Sequence, residues 1–110
     1  MNIEEKLKAI KNAIEEKKGT QIAELFVGSK TTLCEYFVFC SANSGVAVKA
    51  ICDNVEIQLK KAGVEKLRID GYNDGKWVVI DYGDVIVHIY QGEMRQKYDV
   101  ENLWTDVIPD

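Results

Sequence analysis

One imidazole, His88, three thiols, Cys34, Cys40 and Cys52, and scattered carboxylates are the groups in this chain that could do covalent or metal chemistry. The thiols have no C-x-x-C spacing and no histidine cluster beside them, which disfavours a zinc site. An odd set of cysteines in apolar and helical runs reads as buried free thiols of a reducing compartment. Cys40-Ser41 stands near a helix start, where a thiolate is stabilised, but Cys40 ends an apolar run and no base accompanies it. Asp81 and His88 share a strand face in the register derived below, yet Val79 is the direct neighbour of His88. No serine nucleophile or third orienting group completes a triad. Asp84 lies in a turn, where Asp is favoured for local backbone bonding. Gly28-Ser29-Lys30 lacks the earlier glycine and the spacing of a phosphate-binding loop and reads as a polar turn.

The bulk composition narrows the partners. The chain has 110 residues, 46% apolar and 29% charged, as in a soluble single domain able to bury its own core. Its net charge of -4 repels phosphate, so little direct nucleic-acid binding is expected and a basic protein partner suits it better. The first eighteen residues hold no continuous apolar stretch, and no run approaches a membrane span. A cytoplasmic protein without a membrane partner is the expectation.

The elements that must position these groups follow from periodicity. Residues 2–18 place Ile3, Leu7, Ile10 and Ile14 on one helical stripe, which Gly19 stops. Strands are predicted at Ala23 to Val27 and at Cys34 to Cys40. Ser41 to Gly45 is turn chemistry, with Asn43 or Ser44 as helix cap. Val48, Ile51, Val55, Leu59 and Ala62 then mark a second helix ending at Gly63. Lys66 to Asp70 is a strand, and Gly71 to Gly75 a loop. Trp77 to Tyr82 and Val85 to Tyr90 flank Gly83-Asp84 as a hairpin with a type II′ or type I′ turn. Glu93 to Trp104 reads as one or two short helices. This order predicts an α/β domain with a mixed sheet of about five strands and helices packed on it.

The hairpin register pairs Tyr82 with Val85, Asp81 with Ile86, Ile80 with Val87, Val79 with His88, Val78 with Ile89 and Trp77 with Tyr90. One face then carries Val78, Ile80, Tyr82, Val85, Val87 and Ile89 and should meet the helices. The other carries Trp77, Val79, Asp81, Ile86, His88 and Tyr90, aromatic anchors with polar punctuation. Two readings stay open for it: a protein-binding surface, or a face covered by the C-terminal helices.

Trp77-Val78-Val79-Ile80-Asp81-Tyr82-Gly83-Asp84-Val85-Ile86-Val87-His88-Ile89, followed by Arg95, Tyr98, Glu101, Leu103 and Trp104, resembles the signature of the ribosomal silencing factor family, whose plant relative is called Iojap. Phe37 to Ser41, Val48 to Asp53 and Gly71 resemble its central strand, following helix and pre-hairpin glycine, so the likeness spans 1–110 as one domain. The resemblance implies a fold related to the nucleotidyltransferases, a homodimer when free, and binding to large-subunit ribosomal protein fourteen. It also implies steric repression of translation, with no cofactor and no catalytic residue. The chain departs from the family with Ser44-Gly45-Val46 in place of a Ser-Ser-Arg loop, Glu35 in place of Asp, and Val100 in place of Leu. The alternative is a degenerate metal-dependent nucleotidyl or phosphoryl transferase. Such enzymes hold two metals on paired carboxylates after a Gly-Ser turn, and here only Glu35 follows Gly28-Ser29. The expected footprint is Trp77, Val79, Asp81, Ile86 and His88, extended by Tyr82, Arg95 and Tyr98, with Leu103 and Trp104 assigned to packing. Trp77→Glu or Ile86→Glu is expected to abolish binding and leave the fold intact.

Overall fold

The computed structural model describes residues 1–101. The elements come in the expected order: α1 (Ile3–Glu16), β1 (Thr20–Phe26), β2 (Tyr36–Ala42), α2 (Gly45–Lys61), β3 (Arg68–Asp70), β4 (Trp77–Asp81), β5 (Val85–Gln91) and α3 (Met94–Lys97). The strands form one mixed sheet in the order β1-β2-β5-β4-β3. Its central pair, β2 and β5, is parallel, and every other neighbouring pair is antiparallel.

The helices begin where capping chemistry allows. At α1 the Asn2 side chain accepts from the Glu5 N–H at 2.8 Å, and the Glu5 carboxylate accepts from the Asn2 N–H at 3.3 Å. Of the two expected caps for α2 it is Ser44 that acts, accepting from the Ala47 N–H at 3.1 Å. Gly63, at φ +83°, ends the helix as expected, with the Val64 N–H returning to the Leu59 carbonyl at 2.9 Å. Both helices lie on one face of the sheet. Leu7, Ile10 and Ile14 of α1 and Val48, Ile51, Val55 and Leu59 of α2 bury against Val78, Ile80, Val85, Val87 and Ile89. Each fully buried aliphatic side chain there contributes roughly 1.5–3 kcal/mol. Asn54 ties the two helices together, donating to the Ala13 carbonyl at 2.8 Å and to Glu16 Oε1 at 2.9 Å.

The hairpin has the register read from its sequence, from Trp77 opposite Tyr90 to Asp81 opposite Ile86. The Tyr82 N–H donates to the Val85 carbonyl at 2.9 Å. Gly83 takes φ +90° while Asp84 keeps a negative φ, which selects the type II′ turn. The Asp84 carboxylate receives Lys6 Nζ at 2.7 Å and so pins the turn to α1.

The first two strands differ from expectation. β1 starts three residues earlier, at Thr20, and absorbs a register shift before Ala23 with Gln21 at φ +52°. β2 starts two residues later and runs through Ser41 and Ala42, residues whose types favour turns. Parallel pairing with Tyr90 and Gln91 holds them extended, a tertiary contact that overrides local preference. Cys34 consequently falls outside the strand. The segment from Glu93 contains α3, while Leu103 and Trp104 lie outside the described residues.

Candidate functional site

The second face of the sheet carries the hairpin residues Trp77, Val79, Asp81, Ile86, His88 and Tyr90, flanked by Phe37 and Phe39 of β2. Two segments cover part of it. Val27 and Cys34 bury with Phe37, Phe39 and Tyr90, and Met94 and Val100 pack against that cluster. Between them Trp77, Val79, Asp81 and Ile86 stay partly exposed. The two readings of this face therefore divide it: the β2 side packs, and the β4–β5 side opens.

Aromatic rings fill the boundary. His88 stacks on Phe39 at 5.0 Å between centroids and on Trp77 at 6.0 Å. Trp77 in turn stacks on Tyr90 at 5.5 Å and on Tyr98 at 5.0 Å. The Trp77 indole Nε1–H donates to His88 Nδ1 at 3.1 Å. Burial disfavours the imidazolium and pushes the His88 pKa down from 6.5 to about 4, so the ring is neutral at physiological pH. Its Nε2 is buried without a hydrogen-bond partner among the described residues.

The other expected footprint residues divide between surface and interior. Tyr82 belongs to the opposite face: it is 6% exposed and packs in the helix-side core, because strand alternation puts it with Val78 and Ile80. This removes it from the footprint. Arg95 is an internal clamp. Its guanidinium donates to the Gln21 carbonyl at 2.5 Å, to Ser41 Oγ at 3.2 Å and to Glu101 Oε1 at 3.0 Å, and it lies over the Phe39 ring. Those contacts leave little of it for a partner. Tyr98 is 41% exposed and caps the Trp77 stack from outside, its carbonyl accepting from the Tyr90 hydroxyl at 3.3 Å. Asp81 anchors the turn through the Gly83 N–H at 2.7 Å and pairs with Arg68 at 3.4 Å. His88, only 5% exposed, supports the face from beneath. Phe37 and Phe39 were the members sequence reasoning left out, although alternation along CEYFVFC separates them from Val38 and Cys40.

The thiols offer no nucleophile. All three are free and buried, and burial pushes Cys40 and Cys52 up to about 12. Among the described residues no group of three or more His, Cys, Asp or Glu side chains gathers to hold a metal ion. No helix there is long and apolar enough to cross a membrane.

Residues 1–110 match the family model described as "Ribosomal silencing factor during starvation". The chain belongs to that family. A curated relative from Halalkalibacterium halodurans, "Ribosomal silencing factor RsfS", is 34% identical over 106 residues, 96% of this chain and 91% of the relative. A crystal structure of a protein from Chromobacterium violaceum is similar along all of this chain and 92% of its own length, with a TM-score of 0.93 and 36% identity. A more distant mouse relative, "Mitochondrial assembly of ribosomal large subunit protein 1", is 24% identical over 95 residues, 84% of this chain and 42% of the relative. Val46, at the position where the resemblance implies an arginine, is 81% exposed at the start of α2. Ser44 keeps its capping bond there without the arginine.

Proposed function

We propose that this chain is a translational repressor that binds the large ribosomal subunit through large-subunit ribosomal protein fourteen and sterically blocks joining of the small subunit. It acts by occupancy, without turnover. Family membership supports the ribosomal assignment, and the open β4–β5 side of the sheet is the observation that carries the docking reading. There Trp77, Val79 and Ile86 offer a partly exposed apolar centre beside the carboxylate of Asp81. An apolar centre suits the buried middle of a protein interface, and the chain's net charge of -4 favours encounter with a basic partner. A stable complex needs about 800 Å² from each partner, more than these residues alone, so the rim around them takes part.

Ile86→Glu and Val79→Glu test this reading. Both side chains are partly exposed, so the fold should tolerate the change while a charge is forced into the contact. Co-sedimentation with purified large subunits is expected to weaken by about thirtyfold, the loss of one hot-spot side chain. Variants that pellet with large subunits as well as the parent protein would remove this face from the interface. Trp77→Glu is a poorer probe than its sequence position suggests, because it also breaks the ring stack and the bond to His88.

A further inference from the structure

We infer that His88 is a positioning residue for Trp77: its neutral imidazole accepts the indole N–H and fixes the pose in which Trp77 meets the partner. The inference rests on the docking reading above. Trp77 and His88 are diagonal neighbours across the hairpin, since His88 faces Val79 directly. An indole nitrogen can only donate, so the 3.1 Å contact from Trp77 Nε1 requires a lone pair on His88 Nδ1. The imidazole proton therefore sits on Nε2, and the tautomer is set by the tryptophan.

That arrangement has a cost. It leaves the Nε2–H buried with no acceptor among the described residues. A phenylalanine would stack on Phe39 and Trp77 as His88 does and would bury no polar atom. What histidine adds over phenylalanine is the acceptor at Nδ1, and among the described residues the group using it is the Trp77 indole. With its nitrogen satisfied inside the protein, the part of Trp77 left to solvent is hydrocarbon.

Two substitutions separate ring from acceptor. His88→Phe keeps an aromatic ring and deletes the acceptor; His88→Asn deletes the ring and offers Oδ1 near the place of Nδ1. Both are made in a Trp104→Phe background, so that one indole remains, and the backbone amide spectrum reports folding. In His88→Phe the Trp77 indole N–H resonance should move upfield. Its exchange with solvent should quicken by about tenfold, and large-subunit affinity should fall by about the same factor, as for loss of one hydrogen bond. In His88→Asn the indole resonance and part of the affinity should return. An indole resonance and exchange rate unchanged in His88→Phe would overturn the positioning role whatever the binding assay gives. A shifted resonance with unchanged affinity would overturn the link between the indole's pose and docking. Failure of the parent protein to bind large subunits would overturn the docking reading instead, leaving the resonance test of the hydrogen bond standing.

Discussion

Replacing Gly71 with alanine is expected to lower the unfolding free energy by about 3 kcal/mol, a drop of roughly 15 °C in Tm for a domain of this size. Gly71 follows β3 at φ +82°, a conformation that side chains disfavour. A Cβ there would stand 2.1 Å from the Trp77 carbonyl oxygen, a backbone atom that cannot turn aside. Relief requires moving the start of β4, and with it the tryptophan of the proposed docking face. Gly83→Ala is the matching control. Its φ of +90° is equally unusual, but its Cβ would meet only a Leu67 methyl at 3.5 Å. That change should cost about 1 kcal/mol, the backbone strain alone. Urea denaturation of the two variants measures the difference; equal losses would mean the contact with the Trp77 carbonyl does not matter.

Acidification from pH 7 to pH 4 is expected to remove about 3 kcal/mol of stability through His88 alone, reflecting the gap between 6.5 and about 4. Burial lowers the folded-state pKa, so between these values the unfolded chain takes up a proton that the folded chain refuses. Stability from this residue is complete above pH 6.5, is lost as pH falls toward 4, and changes no further below that. Carboxylates titrate in the same range, so the readout is a comparison with His88→Phe, in which they are retained. In urea melts the parent's unfolding free energy should fall by about 3 kcal/mol more than that of His88→Phe between pH 7 and pH 4. Parallel profiles for the two proteins would show that the imidazole is protonated in the folded state as readily as in the unfolded one.

Legibility in the sequence tracked the distance over which each feature is determined. The hairpin was readable because Gly83-Asp84 fixes the turn and strict alternation on both sides fixes the faces. The α1 stripe and the caps at Ser44 and Gly63 are equally local. Ser41 and Ala42 were misassigned because their strand conformation is imposed by Tyr90 and Gln91, residues far along the chain. Arg95 has the residue type enriched at interface hot spots, yet the structure uses it internally. Its acceptor on Gln21 is 74 residues away and leaves no trace in local pattern. The composition of the open face was legible, but its boundary was not. That boundary depends on how the segments around Val27 and Met94 fold over β2 and β5. Tyr82 is a different case: the hairpin register alone places it with the core residues, where the structure has it.

Under the proposed function, occupancy of the large subunit by this chain prevents subunit joining. The direct measurement mixes purified small and large subunits with excess protein and separates them on a sucrose gradient. The full-ribosome peak should shrink, and the protein should migrate with free large subunits, while Ile86→Glu should leave that peak intact. An unchanged full-ribosome peak in the presence of excess parent protein would contradict the account.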